Sequence, residues 1–300
     1  MRIAVVFRAD YHDGKPVPAY PWSYVEAFQE MGHEVEVVHP AQPQKLGMNF
    51  DFALEIENGR DEAGSLRFVL QEIPFIVPSA VLFYDTHGYP DLHAEVAKSY
   101  DHVFFGTWVK RDLFAGHPSA HWCPSATDLK WFGTPEQLAT EPEFDVGFFG
   151  SKKGLGRADD LIQICNANGW TYDVRQVASN RNPNRWPATG DAMARCRVLF
   201  NRGQKHDGPN QRVMESMAME RPLVTDFDES DGMMSLFTPR IHYYRHEEYA
   251  ELPGLEGTIG HLLRNQNEIV SVIAGQARKE IESKHLVKHR AQQILEVVGA

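Results

Sequence analysis

The 300-residue sequence lacks several features that define common protein classes. It has three cysteines, Cys123, Cys165 and Cys196, and an odd number of widely separated thiols argues against a disulfide framework. No apolar run approaches the length of a membrane span, and the start "MRIAVVFRAD" reaches a charged residue too early for a signal peptide. We therefore expect reduced thiols, no membrane insertion and a cytoplasmic location.

Excess positive charge and internal repeats are missing as well. The formal net charge is -11, which argues against a surface built mainly to coat nucleic acid or an anionic membrane, although a local basic region is compatible with it. The absence of a fixed period excludes solenoid folds. With 42% hydrophobic and 24% charged residues, the composition is typical of a globular protein with one large or two ordinary domains.

What is present is an alternation of strand and helix patterns. The run "RIAVVF" (2–7) is typical of a parallel strand that is covered on both faces, and "PWSYVEAFQEMGHEVEVV" predicts a helix that stops at Gly32 before a second strand. Further strands are predicted in "FDFALEI", "AVLFYDT" and "HVFFGT", with helices near 64–72, 91–99 and 108–115. Such spacing predicts a parallel, doubly wound α/β sheet.

The alternation is interrupted at 133–143, where two prolines and the loss of the apolar period favour a linker. It then restarts, with strands at 144–150, 170–175, 197–200 and 222–226, helices at 157–168 and 208–219, and a mostly helical end at 254–298. We predict an acceptor-side domain at 1–135, a nucleotide-sugar-binding domain at 143–285, and a C-terminal helix at 286–300 that packs back on the first domain. Ligands of two such domains, facing across a cleft, bind beyond the carboxyl ends of the strands.

The turn after the first strand of the second half, "FFGSKKGLGRADDL", contains candidate phosphate contacts. Gly150 and Ser151 would let the backbone approach a phosphate, and Lys152 and Arg157 would neutralise its charge. The spacing is not that of a P-loop, so a solvated basic turn is the alternative.

Another turn of this half, "LFNRGQKHDGPNQRVMESM", combines a helix start with an arginine and a carboxylate. Arg212 and Glu215 are three residues apart and would share one helix face near its N-terminus, which suits an anion. A carboxylate there would repel a phosphate but can accept hydrogen bonds from a sugar diol. The combination indicates a ligand with both parts, such as a sugar nucleotide; a surface ion pair is the alternative.

In the N-terminal half, "VLFYDTHGYPDLH" places Asp85 and His87 after a strand. An imidazole there could donate to a sugar hydroxyl or transfer a proton. Asp85, His87, Asp91 and His93 could instead ligate a metal, or the stretch could be a polar turn capped by Asp91.

The first strand is followed by the long loop "FRADYHDGKPVPAYPW", which contains His12 and Asp13. Long loops in small domains are often functional. The aromatic residues Tyr11, Tyr20 and Trp22 could stack on a sugar or base, or could pack across the helix start.

Four stretches resemble, in order, the carboxyl half of GT-B glycosyltransferases: "DVGFFGSKKGLGRADDLIQI", "RVLFNRGQKHDGPNQRVMESMAMERPLVTDF", "SLFTPRIHYYRHEEY" and "ARKEIESKHLVKHRAQQIL". The nearest likeness is to the CgeB-like, spore-coat-type branch, and it covers about residues 80–298. The resemblance implies two Rossmann-like domains facing a cleft, with a nucleoside diphosphate sugar, UDP- or GDP-linked, held by the second and the acceptor by the first. It also implies no cofactor and no metal.

Site residues follow from the same resemblance. Many retaining relatives carry two glutamates at a fixed spacing, which Asp207 and Glu215 match except that the first acid is aspartate. The resemblance implies that Glu215 binds the ribose hydroxyls, that Lys152 and Arg157 hold the diphosphate, and that His87 contacts the donor sugar.

The sequence therefore predicts a metal-independent glycosyltransferase, with retention of configuration suggested by the acid pair. An inverting enzyme would need a base, for which Asp85, His12 and Asp13 are the candidates. The predicted catalytic residues are Asp85, His87 and Asp207. The predicted substrate-binding residues are Gly150, Ser151, Lys152, Arg157, Asn201, Arg202, Gln211, Arg212, Glu215, His12 and Asp13.

The acceptor stays open between a small molecule, a polymer, a protein and a modified base in DNA. Three other functions also remain open: a non-catalytic nucleotide-sugar-binding or coat protein, a nucleotide-sugar epimerase, and a metal-dependent hydrolase.

Overall fold

Two parallel sheets, each with its own hydrophobic core, organise the computed structural model of the chain. The structure describes residues 1–9, 11–12, 15–16, 19–42, 45–46, 49–57, 68–70, 77–150, 156–177, 184–203, 208–226, 230–245, 254–266 and 269–299. The chain divides into unit 1, which is Met1–Ser125 with Val287–Ala300, and unit 2, which is Ala126–Leu286. The α/β class with two Rossmann-like sheets, predicted from the alternation, is confirmed.

Unit 1 contains the first sheet and a short antiparallel hairpin. The strands of unit 1 are β1 Arg2–Val6, β2 Tyr11–His12, β3 Lys15–Pro16, β4 Glu34–Val38, β5 Phe52–Ile56, β6 Ser79–Phe83, β7 His102–Phe105 and β8 Ala120–Trp122. The strands β2 and β3 form the hairpin. The other six, as far as the described residues show, form a parallel sheet in the order β4-β1-β5-β6-β7-β8. The apolar runs of β1, β5 and β6 are almost fully buried, as expected of strands covered on both faces.

Among the described residues of unit 1, the helical segments before the second sheet are α1 Tyr20–Glu30, α2 Pro90–Ala97 and a 3₁₀ helix at Trp108–Phe114. In α1 the side chains of Tyr24 and Phe28 are fully buried, and the helix stops before Gly32, whose φ of 86° suits glycine. The predicted helix at 64–72 lies mostly outside the described residues.

Unit 2 contains the second sheet. Its strands are β9 Phe144–Gly150, β10 Tyr172–Gln176, β11 Cys196–Asn201, β12 Leu223–Thr225 and β13 Tyr244–Arg245. They run parallel in the order β10-β9-β11-β12-β13. Along β9 and β11, alternate residues face two different cores, with Val146 and Val198 on one side and Phe149 and Leu199 on the other. This alternation shows why the central residues of both strands are apolar on both faces.

The helices of unit 2 are α3 Pro135–Leu138, α4 Asp159–Asn168, α5 Arg185–Ala194, α6 Gln211–Ala218, α7 Met233–Leu236, α8 Gly254–Arg264 and α9 Ile269–Lys284. The chain then returns to unit 1 through α10 Val287–Val298. There Arg290 Nε donates to the Pro124 carbonyl at 2.9 Å, and Gln293 Nε2 donates to the Trp122 carbonyl at 2.9 Å.

Three predicted features differ in the structure. Helix α6 starts at Gln211 rather than at 208, because Gly208 adopts a φ of 73° and the Asn210 side chain caps the helix by accepting from the Val213 amide at 3.3 Å. Helix α5 at Arg185–Ala194 was not predicted from the sequence. The stretch 133–143, predicted as a linker, includes the short helix α3. Thr134 and Gln137 form a capping box at the N-terminus of this helix.

Each sheet has a position at which the strand order reverses. In unit 1, β1 lies between β4 and β5; in unit 2, β9 lies between β10 and β11. The chain thus fills one side of the first strand and then the other. At such reversals the crevice beyond the carboxyl ends of the central strands is the usual ligand position of α/β sheets. None of the described helices is long and apolar enough to cross a membrane.

Candidate functional site

Helix α6 carries the ionic residues on which the sequence argument centred. The Arg212 Nη1 atom lies 2.9 Å from Glu215 Oε2, so the two residues share one face, as predicted. The Arg212 side chain is 14% exposed and the Glu215 side chain is 1% exposed. These low exposures exclude an ordinary surface ion pair. Within the described part of the chain, Glu215 Oε1 has no hydrogen-bond partner. A buried acceptor atom is therefore present where a sugar diol was predicted to bind.

The burial of Glu215 follows from the position of α6. The helix packs Val213, Met214 and Met217 into the core, and its last turn is held by Arg278 of α9, which donates to the Ala218 carbonyl at 2.6 Å. A carboxylate in such a helix is removed from water, so burial raises the pKa of Glu215. The positive charges of Arg212 and Arg185 oppose this rise.

Arg185 was not among the predicted residues. It is the first residue of α5, and its guanidinium lies over the Trp186 ring at 4.3 Å from the ring centroid. Burial lowers its pKa, and the negative charge of Glu215 raises it again. Arg185 therefore belongs to the same charged group as Arg212 and Glu215. The basic and aromatic pair at the start of "RWPATG" was the available signal, but no helix was predicted there.

The carboxyl ends of β9 and β11 bring together several predicted residues. Gly150 ends β9, and Asn201, 3% exposed, ends β11. Arg157 Nη1 donates to the Arg202 carbonyl at 3.2 Å, and Arg202 Nη1 pairs with Asp160 of α4 at 2.8 Å. Two arginines and a helix start thus meet at the reversal point of the second sheet, where an anion is favoured.

Of the other predicted residues of unit 2, Gln211 is described by the structure. Gln211 is the first residue of α6 and is half-buried. Ser151, Lys152 and Asp207 lie outside the described residues.

In unit 1, the predicted residues Asp85 and His87 lie in the turn between β6 and α2. Asp85 is exposed and His87 is half-buried. Glu57, which directly follows β5, accepts the Tyr84 amide at 2.6 Å and the Asp85 amide at 3.0 Å. Sequence reasoning missed Glu57; its signal was an acid at the carboxyl end of a buried strand.

The other predicted residues of unit 1 lie in or near the loop that follows β1. His12 lies in β2 but nothing is described of its side chain, and Asp13 lies outside the described residues. Trp22 packs edge-on against Phe7 at 5.2 Å, and Tyr20 packs against Tyr84 at 5.0 Å between ring centroids. Tyr20 and Trp22 thus each pack against another aromatic ring of unit 1 near the start of α1.

The alternative of a metal site at 85–93 receives no geometric support. Asp91 is exposed, whereas the His93 side chain is fully buried against the Glu57 side chain. In the part of the chain that is described, no three His, Cys, Asp or Glu side chains converge closely enough to hold a metal ion.

Comparison with solved structures gives the class of fold. HepE from Anabaena, in complex with UDP and glucose, matches with a TM-score of 0.60 at 12% identity over 100% of this chain and 99% of its own. An alpha-glucosyltransferase in complex with UDP and a DNA 13-mer containing an HMU base matches with a TM-score of 0.67 at 9% identity over 100% of both chains. AviGT4, a glycosyltransferase involved in avilamycin A biosynthesis, gives 0.60 at 12% identity over 99% of this chain and 97% of its own. The fold is that of GT-B glycosyltransferases.

Sequence comparison then gives the family. The model of the glycosyl transferase-like family matches residues 135–296, which is more than half of the chain. No curated protein matches the sequence. The chain belongs to the glycosyl transferase-like family, and its enzyme class is glycosyltransferase.

Proposed function

We propose that this enzyme transfers a glycosyl group from a nucleoside diphosphate sugar to a hydroxyl acceptor. Unit 2 binds the donor, and UDP is the first nucleotide to test, because HepE and the alpha-glucosyltransferase were both solved with UDP. One observation carries the proposal. The carboxylate of Glu215, almost fully buried in α6, has an acceptor atom without a hydrogen-bond partner among the described residues.

A ribose would supply what this carboxylate lacks. Burying an acceptor without a hydrogen bond costs free energy, and the two hydroxyls of a ribose are donors of suitable spacing for a carboxylate. Arg212 and Arg185, which lower the pKa of Glu215, keep it available as an acceptor. The observed charge arrangement therefore favours a neutral diol at Glu215.

The diphosphate belongs at the ends of β9 and β11. Arg157 and Arg202 lie there beside the start of α4, and the predicted Ser151 and Lys152 follow Gly150 directly. Preorganised cations would stabilise the charge that grows on the departing diphosphate. These cations would stabilise the negative charge that a metal ion could otherwise stabilise, so we propose that transfer needs no metal.

The proposal also includes the stereochemistry of transfer, the branch of the family and the catalytic residues of unit 1. The spacing of Asp207 and Glu215 supports retention of configuration, and the order of the four quoted stretches supports membership of the CgeB-like branch. Asp85 and His87 of unit 1 are proposed to serve the transfer chemistry. The acceptor class stays open between small molecules, polymers, proteins and modified DNA bases.

Calorimetric titration with UDP, GDP, ADP and CMP, with magnesium and with chelator, tests the donor site. We expect one nucleoside diphosphate to bind equally in both conditions. Glu215→Gln should weaken that binding roughly 10-fold or more, since hydrogen bonds to a charged acceptor contribute about 1.5–3 kcal/mol.

Glu220→Gln is the matched control, because Glu220 is an exposed glutamate just beyond the other end of α6. It removes the same charge and should leave affinity unchanged. Equal affinity of wild type and Glu215→Gln would contradict the ribose assignment, and no binding of any nucleotide would contradict the proposed function.

A further inference from the structure

A second buried carboxylate lies at the reversal point of the first sheet. Glu57 follows β5, and its amide donates to the Leu82 carbonyl at 2.9 Å, which continues the pairing of β5 with β6. Its side chain is 5% exposed. A carboxylate in this environment is costly unless polar groups satisfy it. The groups that do so indicate what the residue is for.

Two consecutive backbone amides meet this carboxylate. Glu57 Oε2 accepts from Tyr84 at 2.6 Å and from Asp85 at 3.0 Å, at the point where β6 enters the turn. The turn is then closed by its own hydrogen bonds, from the Gly88 amide to the Asp85 carbonyl at 2.8 Å and from Tyr89 to Thr86 at 3.3 Å. Glu57 therefore fixes the start of the turn that carries Asp85 and His87.

Helix α2 completes the support from the other side. His93 Nε2 lies 3.7 Å from Glu57 Oε1, and the His93 ring stacks on Phe83 at 4.2 Å between centroids. The other ring nitrogen, Nδ1, is 3.3 Å from the Thr86 hydroxyl in the same turn. Burial lowers the pKa of His93 to about 4, so this imidazole is neutral near neutral pH and acts as a packed, polar support.

We propose that Glu57 is a positioning residue for glycosyl transfer: through the Tyr84 and Asp85 amides it orients the turn presenting Asp85 and His87, and its charge acts on the His87 imidazole. The inference rests on the proposed function, which assigns Asp85 and His87 to the transfer chemistry. Glu57 itself is held beneath the turn and acts through these residues.

The charges around Glu57 support this role. Burial and the neighbouring charge of Asp85 raise the pKa of Glu57 to about 7, while the two amides and His87 oppose the rise. The titratable groups that face it among the described residues are Asp85 and His87 from the turn and His93 from α2. Glu57 thus changes charge near neutral pH, and only the ionised form offers a full negative charge to the amides and to His87.

The first test compares the pH dependence of turnover in wild type, Glu57→Gln and Glu57→Asp. Wild-type kcat should fall as pH drops through about 7. Glu57→Gln imitates the protonated form, so its kcat should be roughly 10- to 100-fold lower, as expected for a displaced reacting group, and should lack that acid limb. Glu57→Asp should restore part of the rate and the limb.

Glu55→Gln is the control for loss of a buried carboxylate. Glu55 lies two residues earlier and accepts the Val69 and Leu70 amides, each at 2.9 Å, and the Tyr100 hydroxyl at 2.6 Å. It shares the burial and the number of amide partners, but these amides belong to residues 69 and 70 rather than to the turn. We expect Glu55→Gln to lower stability while leaving the pH profile in place. A Glu57→Gln profile that overlays wild type would overturn the inference.

A readout without turnover separates this inference from the proposed function. The pKa of His87 is measured by NMR, with His87→Asn to assign the signal, in wild type and in each Glu57 variant that folds. Glu57→Gln, which removes the neighbouring negative charge, should lower it, and Glu57→Asp, which keeps the charge, should leave it closer to the wild-type value. An unchanged His87 pKa in Glu57→Gln would overturn the inference even if UDP binds, whereas absent UDP binding with a His87 pKa lowered in Glu57→Gln would overturn only the proposed function.

Discussion

At the scale of single residues, the chain places ionisable side chains where water cannot reach them. Glu215 is 1% exposed, and burial raises its pKa. The positive charges of Arg212 and Arg185 oppose this rise. The ionised form is therefore costly in the folded protein. A side chain retained under such a cost is a candidate for function rather than for stability.

Burial of Glu215 makes the stability of the folded protein depend on pH. Because the folded-state pKa of Glu215 lies above its unfolded value of 4.5, Glu215 favours the folded state at low pH, and this contribution is lost as pH rises from about 4.5 through the folded pKa. Glu215→Gln cannot ionise and lacks this loss. Scanning calorimetry measures the melting temperature of Glu215→Gln and of wild type. The melting temperature of the variant minus that of wild type should be more positive at pH 8 than at pH 5. A difference that stays constant or reverses would show that Glu215 is ionised at little cost.

At the scale of elements, close backbone approaches hold α3 and α5 together. A Cβ added at Gly190 of α5 would lie 2.3 Å from the Trp131 carbonyl oxygen and 2.4 Å from Gln137 Nε2 of α3. Gln137 is itself fixed, since its Nε2 donates to Asp191 at 3.0 Å and its Oε1 accepts the Gly133 amide at 2.8 Å. Glycine at 190 therefore lets α5, with Arg185 at its start, pack this closely.

Two glycine-to-alanine changes should act in opposite directions. Gly190→Ala forces the α3 contact apart and should destabilise the protein by about 1–3 kcal/mol, whereas Gly275→Ala in α9 meets Glu220 Oε1 at an ordinary 3.4 Å. Because alanine is the better helix former, Gly275→Ala should stabilise by roughly 0.5–1 kcal/mol. Urea unfolding measures both. Stabilisation by Gly190→Ala would show that the α3–α5 contact can relax.

At the scale of the whole molecule, position in the chain and position in the fold differ. Helix α10 is the last element in sequence, yet it belongs to unit 1, where Ala291 and Ile294 are fully buried and Arg290 bonds to Pro124. Unit 1 is thus assembled from both ends of the described chain, and the whole of unit 2 lies between them in sequence.

Weakening α10 should therefore affect unit 1 rather than the segment next to it in sequence. Ile294→Ala should cost about 2–5 kcal/mol, the usual range for emptying a buried position. Hydrogen exchange should rise in β1, α1 and β7 while protection of β9 and β11 is kept. Val297→Ala, at a half-buried position of the same helix, is the control and should have a small effect. Equal loss of protection in both units would contradict the assignment of α10 to unit 1.

The candidate site was predictable to the extent that it depends on local order along the chain. Arg212 and Glu215 share a helix face because they are three residues apart, and Arg157 and Arg202 reach the same edge because both follow parallel strands. Arg185 was missed because its relation to Glu215 depends on how α5 packs. Glu57 was missed because its partners, the Tyr84 and Asp85 amides, come from the next strand of the sheet.

The sequence by itself determined the α/β class, the parallel sheets and the turns that carry polar residues, because the periods of apolar residues report which faces of an element are buried. Only the tertiary structure decided that Glu215 is enclosed and that Glu57 supports the turn at Asp85. Burial, pKa and long-range partners depend on which remote segments pack against a residue, and that information is not contained in local spacing.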